Sequence, residues 1–551
     1  MKNKIKQIIL SCLAITLFFG CETTELNLVE SPNNLPTDQG DIDFFLNSIQ
    51  VQTAYFFEDV TEEGMEVTRI AQLYGPLYDN AYGASNFNTP WSRVYASIIS
   101  DARTLKPLAE ELGMYSHIGV SQILEAYTVA TLVDYFGDIP YRESNNGISD
   151  NPISDPGAQI YADLIVLLDD AITNLERDEE FNFDNDLFYG LNTDNDEKWI
   201  KLANTLKLKL YLQTKLVDDN AATEINSIIA SGNYITDAAD DFQFNWGTSD
   251  NDPDSRHPIF ARNFEDGGSI TDYMSNHLMF EMNAGYSDKT VVDPRLRYYF
   301  YRQGSENATD AGEADCVGSL PPDHYDFSGP YCMIPFPGYW GRDCGDNGGT
   351  PPDTGKRATW GLYPIGGNFD SNQYEAIISR NIATNGAGIS PIMLSSFVDF
   401  MLAEAALTIG TTGDAATYLE SGINKSINKV MNFRTDVIED DSFVPSATDV
   451  TDYVTEVMTN FNAANADGKM DIIASEYFIA LFGNGIEAFN TYRRTGKPDN
   501  LQPLRQVDAD NCIRSFLYPD DHSNQNSNVT QKPDVYQKVF WDTNPDTGFI
   551  N

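Results

Sequence analysis

Residues 403–427 read AEAALTIGTTGDAATYLESGINKSI: an alanine-rich run, a turn containing glycine, and a second run carrying Ala415, Ala416 and Leu419. Small residues let two neighbouring helices approach closely, so the stretch predicts a helical hairpin over about 392–410 and 413–431. Working outward, SQILEAYTVATLVDYF puts Ile123, Tyr127, Ala130 and Val133 on one helical face and stops at Gly137. EKWIKLANTLKLKLYLQTKL repeats the pattern with Trp199, Leu202, Ala203, Leu206 and Leu210, its lysines opposite. Helical periodicity begins near Ile42 and returns over about 157–178, 467–482 and 484–495. Helices of this length, paired through glycine-containing turns, point to a mostly α scaffold of stacked hairpins.

Residues 232–390 break the pattern. Gly, Pro, Asn and Asp cluster there, and helical periodicity survives only near 271–283. A loop-rich insertion of that length is a candidate carrier of function. The reading is a helical scaffold over about 41–231 and 391–500, the insertion between, and an irregular C-terminal segment over 501–551.

The amino terminus is of another kind. MKNKIKQ is short and basic, and residues 8–19 form an apolar run too short to span a bilayer. Gly20-Cys21 follows. The expectation is a lipoprotein signal peptide over 1–20, a lipid on Cys21, and a polar tether over 21–40 with acids close behind the cysteine. Stable anchoring would take more than one acyl chain. The chain of 551 residues carries 82 acidic side chains against 35 Lys and Arg, a formal charge of −47. Such a surface repels phosphate backbones and argues against nucleic acid as a partner.

Beyond Cys12 and Cys21, the cysteines are Cys316, Cys332, Cys344 and Cys512. Four cysteines in an oxidising compartment allow three pairings. Cys316 and Cys332 are the favoured pair, since closing so short a loop contributes about 3 kcal/mol. A four-cysteine zinc site is disfavoured because CxxC pairs are missing. No GxSxG, HExxH or P-loop occurs, and His117, His257, His277, His324 and His522 are scattered without metal-ligand spacing. No catalytic residue and no metal site is therefore assigned.

GYWGRDCGDNGGTPPD, residues 338–353, concentrates what chemistry there is. No cofactor is expected, although Asp343, Asp346, Asn347 and Asp353 offer hard oxygens of the kind Ca²⁺ takes. The ordinary alternative pairs Arg342 with a neighbouring acid. Tyr339, Trp340, Trp360 and Tyr363 flank the loop. Flat rings beside Arg342, Asp343, Asp346 and Asn347 suit a sugar, stacked on its apolar face and hydrogen-bonded at its hydroxyls. The competing reading has the same rings packing the loop onto the helices.

Taken together these segments resemble the SusD/RagB-like outer-membrane lipoproteins of Bacteroidota. The resemblance rests on LNLVESPNNLP after the leader, LVDYFGDIPY (132–141), LFYGLNTDNDEKWIKLANTLKLKLYLQ (187–213), VVDPRLRYYF (291–300) and the 338–353 loop. It continues through WGLYPIGGNFD (360–370), DFMLAEAAL (399–407), FGNGIEAFNTYRRTGKPDNLQPLR (482–505) and FLYPDDHSNQNSNV. It implies a SusD-like fold with tetratricopeptide-like helical hairpins and a variable, loop-rich half that carries ligand contacts. It also implies a non-catalytic lipoprotein on the outer face of the outer membrane, acting as the lid of a SusC-like TonB-dependent barrel and handing over a glycan or peptide. The alternative is a structural SusD-like subunit of a larger outer-membrane assembly with no nutrient ligand. Cys344 stands where relatives usually have His, which leaves it to pair with Cys512. Phe489 stands where Trp is common.

Overall fold

The computed structural model describes residues 41–545, apart from 148, 150, 178–184, 191–194, 265–271, 284–288, 326–329, 333–336, 349–352, 354, 378–383 and 507–511. The leader, Cys21 and the tether lie outside the described residues. Eleven helices of eight or more residues form the frame of the described part. Six precede the insertion: α1 (Ile42–Val67), α2 (Ile99–Leu112), α3 (Tyr115–Phe136), α4 (Gly157–Leu175), α5 (Asn195–Gln213) and α6 (Ala221–Ser231). Four short strands follow: β1 (Phe242–Asn245), β2 (Phe300–Arg302), β3 (Ala358–Trp360) and β4 (Ile389–Met393). The last five helices are α7 (Ser395–Ile409), α8 (Ala415–Met431), α9 (Ala447–Ala463), α10 (Ala466–Ala480) and α11 (Gly485–Thr495). The chain is mostly α.

Neighbours in sequence pack as neighbours in space. Helix α3 lies against both α2 and α4, α4 against α5, and α5 against α6; in the second set α7 pairs with α8 and α9 with α10. Helix α3 is predominantly apolar and is buried on every side, as a helix enclosed by its neighbours must be. In the α7–α8 hairpin the side chain of Asp414 accepts from the Thr417 N–H at 3.0 Å, satisfying one of the free donors at the start of α8. Across the turn, Gly422 lies against the Phe400 ring, where a Cβ would sit 3.1 Å from the ring.

Helix α1 joins the two sets by crossing α11. A Cβ on Gly485 would stand 2.0 Å from the Thr61 carbonyl oxygen, and one on Gly64 would stand 2.2 Å from the Gly485 oxygen. Only two glycines permit backbones to meet this closely. Buried ion pairs add directional ties. Arg494 on α11 donates to both oxygens of Glu404 on α7, at 2.6 and 2.7 Å, and Lys215 reaches the same carboxylate at 2.8 Å. Arg295 is held by Asp293 at 2.6 Å and by Glu476 of α10 at 3.2 Å.

The insertion leaves and rejoins the frame at one place, because β1 pairs antiparallel with β4, Phe242 opposite Met393. Within it β2 pairs antiparallel with β3, Phe300 opposite Trp360. The helical pattern near 271–283 shortens to Asn276–Glu281. Helix α9 was not foreseen. Its signal is the capping box at Ser446 and Asp449, whose side chains bond each other's backbone N–H groups. No helix among the described residues is long and apolar enough to cross a membrane.

Candidate functional site

The 338–353 loop turns inward. Residue 342 bridges residue 275: the Arg342 N–H donates to the Met274 carbonyl and the Asn276 N–H to the Arg342 carbonyl, both at 3.0 Å. Gly341 makes this possible, since a Cβ there would sit 2.0 Å from the Met274 oxygen. The consequence for the aromatics corrects the stacking reading. Trp340 is 1% exposed and packs with Cys316, Cys332, Ala308 and Ala314. Trp360 is 2% exposed against Phe482, Tyr363 lies on Tyr299, and the Tyr339 hydroxyl donates to Asp370 at 2.5 Å. All four rings are core, none more than 4% exposed, and of them Tyr339 touches the wall of a cleft lined also by Arg302 and Pro337.

The loop's polar groups are likewise turned to the protein. Asp343 accepts from Gln502 at 2.7 Å, from the Cys332 N–H at 2.8 Å and from Asn276 at 3.2 Å. Asp346 pairs with Arg505 at 2.6 Å and Asp353 with Arg357 at 3.0 Å, while Asn347 is exposed. These oxygens do not converge on one point. Among the described residues no group of three or more His, Cys, Asp or Glu is placed to hold a metal ion. Among the described residues Arg342 makes no ion pair with a neighbouring acid. It lies buried on the ring of Tyr273, 4.0 Å from the centroid, with Nη1 and Nη2 unpartnered. Cys316 and Cys332 are joined in a disulfide. Cys344 and Cys512 are separate buried thiols, which corrects the pairing drawn from the resemblance. The Cys512 thiol donates instead to the Ile513 carbonyl at 3.5 Å, and burial pushes its pKa up to about 11, so it stays an inert thiol.

An open site forms elsewhere, where three segments meet in a cleft of about 510 Å³. Trp91 belongs to a short helix, Asn88–Ser92, and Tyr95 to the π-helical turn Arg93–Ile98 that leads into α2. The segment after α3 supplies Pro140 and Asn145, and the short helix Asp520–Gln525 supplies His522 and Gln525. Two bonds stitch these segments together. The Asp521 N–H donates to the Asn88 side-chain oxygen at 3.1 Å, and Asn526 donates to the Pro152 carbonyl at 2.7 Å.

Trp91 sits between two rings, its centroid 4.7 Å from Tyr95 and 4.4 Å from His522. The Tyr95 hydroxyl donates to the Pro140 carbonyl at 2.6 Å, which fixes that half-buried ring at the cleft. His522 is buried and its Nε2 has no hydrogen-bond partner among the described residues. Burial lowers its pKa to about 4, so the imidazole is neutral near pH 7 and can accept or donate according to its tautomer. The Gln525 side chain is exposed beside it. Asp521 is the one carboxylate on the described lining. Sequence reasoning missed this site because its two main residues come from opposite ends of the chain. The usable signal was the density of amide and hydroxyl side chains in DDHSNQNSN.

Residues 33–325 match the family described as "Starch-binding associating with outer membrane", and residues 362–539 match "Susd and RagB outer membrane lipoprotein". No curated protein matches the chain. Among solved structures, a SusD homologue from Bacteroides fragilis is similar over 92% of this chain and 99% of its own, at 19% identity and a TM-score of 0.66. A SusD homologue from Bacteroides uniformis covers 92% and 100% at 19% identity and a TM-score of 0.64. A protein named as chitin-binding covers 92% and 100% at 20% identity and a TM-score of 0.62. These likenesses carry the fold, and the family matches carry the assignment: the chain belongs to the SusD/RagB family of outer-membrane lipoproteins.

Proposed function

We propose that the protein captures an uncharged glycan in the Trp91–His522 cleft at the outer face of the membrane and performs no bond chemistry on it. On this reading it serves as the lid of a SusC-like TonB-dependent barrel, anchored through a lipid on Cys21. The carrying observation is the cleft itself: an aromatic surface at Tyr95 beside the exposed amide of Gln525. The apolar face of a sugar ring covers Tyr95, and the exposed Gln525 amide hydrogen-bonds its hydroxyls. The chitin-binding name of a protein with this fold supports a glycan over a peptide. A single carboxylate on the described lining supports binding over hydrolysis, which in most glycosidases takes two carboxyl groups about 5–9.5 Å apart.

Calorimetric titration against a panel of neutral oligosaccharides tests the site. The expected result is binding of at least one glycan without its turnover, weakened about tenfold or more by Tyr95→Ala and by Gln525→Ala, a loss of about 1.4 kcal/mol. Binding that both variants retain would place the ligand elsewhere, and product release would make the protein an enzyme.

A further inference from the structure

A second cleft, of about 600 Å³, shares no residue with the first. It opens between the 290–297 segment of the insertion and the 442–449 segment that leads into α9. Its apolar lining is Val291, Val292, Leu296, Phe443, Val444 and Pro445, and its cations are Arg297 and Arg302. The two arginines differ in what they have left to give. Arg302 is committed: it donates to Asp370 at 2.7 Å and to the Pro337 carbonyl at 3.2 Å, and lies over the Tyr339 ring at 4.5 Å. Arg297 is held through one nitrogen. Its Nη1 donates to the Asp370 carbonyl at 2.8 Å and to Asn372 at 3.1 Å, and its guanidinium lies 5.1 Å from the Phe443 ring centroid.

Nε and Nη2 of Arg297 meet no acceptor among the described residues. That edge of a guanidinium takes a carboxylate through two parallel N–H···O bonds. The acids nearby do not compete for it. Asp293 is bound by Arg295 at 2.6 Å, and Asp449 accepts from the Ser446 N–H at 2.7 Å in the cap of α9. The Asp370 carboxylate, 3.6 Å from Arg297 Nη1, is shared with Arg302 and the Tyr339 hydroxyl. In a chain of net charge −47, a cleft with an open guanidinium edge and apolar walls selects an unusual ligand.

We propose that this cleft binds a carboxylate borne on an apolar body, as at the C-terminus of a peptide ending in hydrophobic residues. Arg297 grips the carboxylate, and Val291, Val292, Phe443 and Val444 cover the side chain next to it. The test titrates the full protein with acetyl-Leu-Phe as its free acid, with the same dipeptide as its C-terminal amide, and with 3-phenylpropionate. The free acid is expected to bind at millimolar concentration or below, and the amide at least about tenfold more weakly. Phenylpropionate binding as tightly as the dipeptide acid assigns the site to free hydrophobic acids, and weaker binding assigns it to peptide ends; either supports the carboxylate site. Arg297→Gln removes the gripping edge but also two bonds to the 370–372 turn. Val292→Glu, at a position 38% exposed, leaves those bonds intact and places a like charge in the cleft. Both are expected to lose about tenfold or more in affinity for the acid, Val292→Glu at unchanged melting temperature. Equal binding of acid and amide, no binding of any carboxylate, or wild-type affinity in both variants overturns the proposal.

Discussion

Glu404 and Glu58 are both buried carboxyls, and their surroundings drive them in opposite directions. For Glu404, burial alone raises the pKa, but the charges of Arg494 and Lys215 outweigh it and hold the carboxyl at about 2. A lowered carboxyl contributes stability above its unfolded value of about 4.3, and the contribution fades as pH falls toward 2. Glu404→Gln is therefore expected to flatten the acid limb of stability between about pH 4.5 and 2. At neutral pH it costs about 3–5 kcal/mol, because two buried cations lose their counter-charge. Urea unfolding across that range reads both effects. For Glu58, burial raises the carboxyl to about 8 although the Ser390 hydroxyl donates to it at 2.5 Å. Here the contribution is full below about pH 4.3 and is lost as pH rises through 8. Glu58→Gln is expected to raise the melting temperature relative to wild type at pH 8 and to change it little at pH 4. A variant no more stable than wild type at pH 8 contradicts this account. At this scale the sequence was least readable. Trp340 and Trp360 stand among Gly, Asp and Asn, as exposed platforms do, yet they are core because the loop pairs with Met274, far away in the chain. His522 looked isolated because its neighbour Trp91 lies at the other end.

The helices carry their own sequence signals, and their crossings depend on a few positions. Gly485→Ala gains up to about 1 kcal/mol of helix propensity but drives a methyl into the Thr61 carbonyl. The expected net effect is a loss of about 3 kcal/mol or more, seen as a lower melting temperature. A stabilised variant would mean that α1 and α11 do not cross backbone to backbone. Replacing Cys316 and Cys332 by Ala removes a bridge closing 16 positions and is expected to cost about 3 kcal/mol under oxidising conditions, with no difference from wild type under reduction. The α7–α8 hairpin was legible to within a few residues because period, turn and facing alanines agree over 403–427. Helix α9 was not, since only Tyr453, Val454, Val457 and Phe461 of its 17 residues are buried and most of the rest are polar. The strands were invisible because each is five residues or fewer and its partner is distant in sequence.

For the molecule as a whole, the frame and the family follow from motifs spread along the chain, while the open clefts arise only when distant segments meet. The protein is read as a surface-anchored binding subunit, with a neutral glycan cleft at Trp91 and a carboxylate cleft at Arg297. The proposed function seats such a subunit on a transporter. The most direct measurement is a detergent pull-down of the tagged, full-length protein from the outer membrane of its own cell, with partners identified and their stoichiometry counted. The account predicts one TonB-dependent barrel at equal stoichiometry and little else. Several stable subunits without a transport barrel, or recovery of the protein alone, would contradict it.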